Sequence, residues 1–183
     1  MTVTFLVGGA RSGKSRFAVE FGRRHEAAGG TVSFVATAPR LDDADWAERI
    51  DRHIAERPAW RTIEEPVDLV SALTTAGDDL AIVDCLTLWV SNLMFAEQDD
   101  EAILAAAAEL SDVARSRSAP TVVVSNEVGL GIHPHTELGR RFRDVLGTVN
   151  QRVGTAADRC LLFVAGRAVD LADPFDLISP ESR

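Results

Sequence analysis

An α/β fold with a mostly parallel central sheet and helices on both faces is predicted for this chain of 183 residues by two observations. Short apolar runs alternate with longer segments of helical periodicity, and the runs are apolar on successive residues, as strands buried on both faces are. The first run, Thr2 to Val7, leads at once into Gly8-Gly9-Ala10-Arg11-Ser12-Gly13-Lys14-Ser15, and a helical pattern (Phe17, Ala18, Phe21) follows without a break. That is the G-x-x-x-x-G-K-S order of a phosphate-binding loop in its strand–loop–helix setting. Neither an internal repeat nor a linker divides residues 1–183, so one domain is expected, large enough to bury about 70 % of its unfolded surface.

The remaining elements follow from local chemistry. Lys14 to Ala27 is the first helix, stopped by Gly29-Gly30, and Thr31–Ala36 is a strand carrying Val32, Phe34 and Val35. Asp42-Asp43 offers an N-cap for a helix from Ala44 to Glu56 that Pro58 ends. Trp60–Ile63 reads as a short strand, and Glu65-Pro66 as the opening of a helix with proline in its first turn. Leu80–Asp84 is a strand ending in an acid, Leu86–Phe95 a helix, and the alanine-rich Ala102–Arg115 a strong helix former. Thr121–Ser125 is a β-branched strand, Asn126–Pro134 a loop, and Thr136–Ala157 an amphipathic helix with Leu138, Phe142, Val145, Leu146, Val149 and Val153 on its apolar stripe. Leu161–Val164 is the last clear strand, and the stretch after Asp170 reads as a polar, loosely held tail.

Composition excludes several function classes. A net charge of −9 leaves no general basic surface to displace counterions from a nucleic-acid backbone, so no nucleic-acid partner is expected. No apolar run has the length of a membrane span, and Met1 runs straight into a core strand, which reads as a cytoplasmic protein. Cys85 and Cys160 end apolar runs and read as reduced, buried thiols, not as a disulfide or metal pair.

Chemistry concentrates at strand ends. The glycines of the loop aim backbone N–H groups inward as an anion nest, Lys14 reaches the outer phosphates of a nucleotide, and the Ser15 hydroxyl suits Mg²⁺. Asp84 follows four apolar residues, the placement of a carboxylate that holds Mg²⁺ or takes a proton from an attacking hydroxyl; capping the next helix is the plainer role. On the helix from Ala44 to Glu56, Arg49 and Arg57 lie four residues either side of His53. Such a face suits phosphate oxygens and a neutral, nucleophilic imidazole, or it is simply a solvated face in which Asp45, Glu48 and Glu56 pair with the arginines. His133 and His135 flank Pro134 without the spacing of a zinc site, and His25 suits the end of the first helix. Asn126 and Glu127 leave the carboxyl end of a strand, where ligands bind in open α/β sheets.

Taken together, these motifs resemble the bifunctional adenosylcobinamide kinase / adenosylcobinamide-phosphate guanylyltransferase family. The resemblance is carried by residues 8–15, Ala36-Thr37-Ala38, Arg49-Ile50-Asp51-Arg52-His53 with Arg57, and Trp60-Arg61-Thr62 with Glu64. It continues through Asp84-Cys85-Leu86-Thr87, Asn126-Glu127-Val128-Gly129-Leu130-Gly131-Ile132, and Phe142-Arg143-Asp144 with Asn150-Gln151. The resemblance implies a RecA-like P-loop fold and two reactions. ATP or GTP phosphorylates the aminopropanol hydroxyl of adenosylcobinamide, and GMP from GTP is then joined to that phosphate through a GMP–histidine intermediate.

It further implies that His53, Lys14 and Asp84 are catalytic and that Ser15 and Asp84 hold Mg²⁺. The nucleotide contacts it implies are Gly8, Gly9, Ala10, Arg11, Ser12, Gly13, Lys14, Ser15, Ala36, Thr37, Ala38, Ile54, Ala55, Glu56, Arg57, Glu64 and Asp84. A homotrimer is implied as well. Arg52 stands before His53 where some members carry a second histidine. Two other readings of the motifs remain: a P-loop small-molecule kinase without GMP transfer, and a nucleotide-hydrolysing switch protein, for which no N-K-x-D signature is present.

Overall fold

The computed structural model describes residues 2–40 and 43–178, and excludes the side chains of Ala47, Arg49, Arg52 and His53. Seven strands form one sheet: β1 (Val3–Gly8), β2 (Val32–Ala36), β3 (Arg61–Glu64), β4 (Leu80–Asp84), β5 (Thr121–Val124), β6 (Arg159–Val164) and β7 (Arg167–Leu171). Their order across the sheet is β3-β2-β4-β5-β1-β6-β7, parallel throughout except for the antiparallel β6–β7 pair. The helices are α1 (Lys14–Ala27), α2 (Ala44–Ala55), α3 (Leu69–Ala76), α4 (Leu86–Phe95), α5 (Asp100–Ser116) and α6 (Glu137–Ala156).

The period-two geometry of the strands sorts their side chains onto two faces. Phe5, Val35, Val83 and Val123 point to one face, where α3, α4, α5 and α6 cover them with Leu73, Trp89, Leu110 and Leu146. Leu6, Phe34, Ile82, Val124 and Phe163 point to the other, against Ala18, Phe17 and Phe21 of α1, with Trp60 beside them. The expected doubly covered parallel sheet is therefore the observed one.

Several boundaries shift for identifiable reasons. α3 starts at Leu69, not at Pro66, because Asp68 caps it by accepting from the Ser71 N–H, while Glu65 accepts from the N–H groups of Val67 and Asp68. Asp43 caps the start of α2 through the Trp46 N–H, whereas its partner in the sequence expectation, Asp42, lies outside the described residues. Thr136 is a cap preceding α6, and Leu138 is 56 % exposed, so it does not share the buried stripe. β7 was not expected. Ala165 (φ 51°) and Gly166 (φ 74°) join it to β6 in a two-residue turn with both centres left-handed, the geometry that matches strand twist. All five β7 residues are exposed, so no buried-strand pattern marks them in the sequence. Residues 173–178 are less polar than their reading as a tail implies: Phe175, Leu177 and Ile178 are exposed apolar side chains. Among the described residues no helix is long and apolar enough to cross a membrane.

Candidate active site

Because the core strands are parallel, the carboxyl ends of β1, β2, β3, β4 and β5 open on one edge of the sheet, and a cavity of about 790 Å³ lies there. It is lined by the phosphate-binding loop and start of α1 (Ala10 to Arg16), by Ala36 and Ala38 after β2, by Glu64 of β3 and by Asp84 of β4. Trp46, Ile50 and Ile54 of α2 line it too, at the i, i+4, i+8 spacing of one helical face, with Glu56 and Arg57 just beyond that helix.

The loop is built by close approach. A Cβ on Gly8 (φ 152°) would stand 2.3 Å from the Phe163 carbonyl oxygen, so only glycine lets β1 turn away this close to β6. Arg11 takes a left-handed φ of 56°, and the turn between β6 and β7 braces the loop from outside, with Gly166 N–H donating to the Ser12 carbonyl at 3.0 Å. α1 begins without a side-chain cap and without an acidic residue in its first turn, which leaves its positive end open to an anion. Lys14 is 5 % exposed, and its Nζ donates to the Gly8 and Gly9 carbonyls at 2.8 and 2.7 Å. Desolvation lowers its pKa from the ordinary lysine value, opposed by Cys85 and the Asp84 charge. A buried cation of this kind gains from a phosphate that takes the place of water.

On the far wall, Thr37 is fully buried and does not line the cavity. Its hydroxyl donates to the Cys85 carbonyl at 2.9 Å and accepts from the Cys85 N–H at 2.8 Å. Asn92 donates to the Thr37 carbonyl at 2.8 Å, so Thr37 ties the exits of β2 and β4 together and aims the segment that carries Asp84. Burial, with the Asp84 charge beside it, pushes the Cys85 thiol up to about 11, making it an inert structural group. Both cysteines are unpaired thiols, as expected, and both are only partly shielded from solvent as residues.

Arg57 does not sit where the helical spacing put it. α2 ends at Ala55, so Arg57 does not continue the face that would carry Arg49 and His53; the side chains of those two lie outside the described residues. Its guanidinium turns inward instead, 3.8 Å above the Phe34 ring, and donates to Thr62 Oγ1 at 3.1 Å. Burial lowers its pKa, offset by the charges of Asp84 and Glu64, and its Nη1 is a buried donor with no hydrogen-bond partner among the described residues. Glu64, at the end of β3, is gripped by Arg40, whose Nε donates to it at 2.8 Å; that hydrogen bond holds the carboxyl below the usual carboxylate range. Neither Phe34 nor Arg40 was singled out by the sequence. Phe34 reads as core, and Arg40 acts through a carboxylate on a different strand. The Trp46–Ile50–Ile54 spacing was visible but does not say what the face covers.

Ser15 and Asp84 line the same cavity, a hydroxyl and a carboxylate oxygen of the hard kind that Mg²⁺ takes. Among the described residues no group of three or more His, Cys, Asp and Glu side chains could hold a metal by itself. The donor set fits a Mg²⁺ that shares its coordination with nucleotide phosphates and water, which is how that ion is usually held. His133 lies away from this group, with its Nδ1 2.5 Å from Nη1 of Arg143.

A lysine folded over a glycine loop at a helix start, faced by a strand-end aspartate across a parallel sheet, defines a P-loop nucleotide-binding protein of RecA-like architecture. An ATPase domain of known structure superposes on it with a TM-score of 0.52, covering 88 % of this chain and 68 % of that one at 12 % identity, a likeness of fold alone. The chain belongs to the cobinamide kinase / cobinamide phosphate guanyltransferase family, whose model matches residues 4–171. It is 40 % identical to the bifunctional adenosylcobalamin biosynthesis protein CobU of Salmonella typhimurium, over 91 % of this chain and 97 % of that protein. The bifunctional adenosylcobalamin biosynthesis protein CobP of Pseudomonas aeruginosa is 38 % identical over 91 % of this chain and 95 % of its own, and the Escherichia coli CobU 36 % identical over 91 % and 97 %.

Proposed function

We propose that this protein phosphorylates the aminopropanol hydroxyl of adenosylcobinamide with ATP or GTP and then transfers GMP from GTP to the resulting phosphate, releasing pyrophosphate. The observation that carries the reading is the cavity in which the phosphate-binding loop, Asp84 and the apolar face of the His53 helix meet. In the kinase step the loop N–H groups and Lys14 hold the outer phosphates, Arg57 supplies a second desolvated cation, and Asp84 is close to the reacting oxygens. Mg²⁺, held by Ser15 and Asp84 together with the nucleotide, would neutralise charge on the phosphates.

For the second step we assign His53 as the nucleophile, as the family resemblance implies. Its imidazole nitrogen bonds to the α-phosphorus while the α–β bridging bond breaks, and the electron pair leaves on pyrophosphate. A phosphate oxygen of adenosylcobinamide phosphate then attacks the same phosphorus and releases the imidazole. We also propose that the protein works as a homotrimer. Val164, Val169 and Leu171, exposed on the outer hairpin, supply apolar surface for contact between copies; light scattering at several concentrations measures the state.

The decisive experiment incubates the protein with Mg²⁺ and GTP labelled on the α-phosphate, denatures it and looks for bound label. Acid-labile, alkali-stable label that disappears in His53→Ala, with cobinamide phosphorylation retained, is the expected result. Absence of label while cobinamide is still phosphorylated would leave a kinase alone.

A further inference from the structure

We infer that Asn126 is the residue that positions the transferring phosphoryl group in the kinase step, a role that rests on the function proposed above. Sheet topology gives the first reason. β5 lies between β1, which delivers the phosphate-binding loop, and β4, which delivers Asp84. Val124 of β5 is level with both Leu6 and Asp84, so the chain two residues later emerges between the loop and the carboxylate. Asn126 lines the cavity at that point.

The second reason is how firmly its backbone is held. The Asn126 N–H donates to Thr87 Oγ1 at 2.9 Å, and its carbonyl accepts from Asn150 Nδ2 at 3.0 Å. Asn150 is 7 % exposed and is itself fixed by Ser125, whose hydroxyl donates to Asn150 Oδ1 at 2.6 Å. The next N–H, of Glu127, donates at 3.0 Å to the Gly8 carbonyl, the same oxygen that receives Lys14 Nζ at 2.8 Å. One carbonyl thus links the lysine ammonium to the exit of β5.

Against this rigid backbone, the carboxamide makes no hydrogen bond to another described residue. Asn126 itself is held through its main-chain N–H and carbonyl, and its neighbours Ser125 and Glu127 are held by their own groups, so its side chain is not needed for the turn. A neutral amide in the cavity that Lys14 and Asp84 also line has the chemistry for a phosphoryl group passing between two oxygens. Its NH₂ donates to a non-bridging oxygen without a further charge, and its oxygen accepts from the acceptor hydroxyl. In the step it serves, the hydroxyl oxygen bonds to the γ-phosphorus as the β–γ bridging bond breaks. The electron pair leaves on the nucleoside diphosphate, and the hydroxyl proton is released to solvent.

The test compares wild type, Asn126→Ala and the isosteric Asn126→Asp in cobinamide phosphorylation, in labelling by α-labelled GTP and in thermal melting. Loss of one preorganised donor predicts a fall of about 10²-fold in kcat for phosphorylation in both variants, with nucleotide KM within about twofold. Labelling by GTP, which breaks the α–β bond instead, and the melting temperature should stay at wild-type values. A kcat for Asn126→Ala within about threefold of wild type overturns the inference, as does an equal loss of both reactions or a loss that tracks melting. A wild-type protein that does not phosphorylate cobinamide overturns the function itself, a separate outcome from all of these.

Discussion

Arg57→Met separates the cost of building the site from its use. In the wild-type protein the guanidinium is half-buried, with one buried donor, Nη1, lacking a partner among the described residues and a pKa lowered by desolvation. An orphaned buried donor costs about 1–3 kcal/mol. Against that stand the contact with the Phe34 ring, about 0.5–1 kcal/mol, and the hydrogen bond to Thr62, about 1 kcal/mol. Methionine keeps most of the stem volume and removes all three effects, so they nearly cancel. The melting temperature without nucleotide should move by less than about 4 °C. With nucleotide bound, a charge-assisted hydrogen bond to phosphate is worth about 2–3 kcal/mol, so GTP affinity should fall about 30- to 150-fold. Calorimetric titration with Mg²⁺–GTP, beside melting curves of the unliganded proteins, measures both quantities. Wild-type affinity in Arg57→Met would show that Arg57 does not hold the phosphates, and a melting temperature that falls in proportion to the affinity would show a structural role instead.

Two further outcomes are expected. Lys14→Ala should slow both phosphorylation and GMP transfer by about 10²-fold or more, since one loop serves both, and GMP transfer at the wild-type rate in half-reaction assays would show that the two do not share it. Asp79, at the opposite edge of the sheet, accepts from Ser33 Oγ at 2.6 Å and from the Thr31 hydroxyl, and these bonds hold its pKa below the ordinary value. Its stabilisation is therefore present above the unfolded pKa of about 3.9 and lost as the pH falls through the lower folded value. Asp79→Asn should cost about 1–3 kcal/mol in urea unfolding at pH 7 and progressively less below about pH 4; an equal cost at pH 7 and pH 2.5 would contradict the assignment.

Features with a local cause are legible in the residues themselves. A β-prone run, a glycine loop and a periodic helix make a phosphate-binding loop whatever else the chain does, because dihedral freedom and side-chain period act over a few residues. Leu80–Asp84 and Leu86–Phe95 were legible to the residue for the same reason. Features that depend on partners far along the chain emerge only in the folded molecule. Arg57 turns onto Phe34 because α2 stops two residues earlier and a cavity wall lies within reach. Thr37 became a buried brace because Cys85, 48 residues away, offers it both a donor and an acceptor. The hairpin of β6 and β7, invisible in an exposed run of mixed residues, braces the Ser12 carbonyl. The placement of β5 between β1 and β4, which brings Asn126 to the phosphate-binding loop, follows from how whole sheet faces are covered. Strand order is set by the joint burial of many side chains, and no short window of sequence contains that sum.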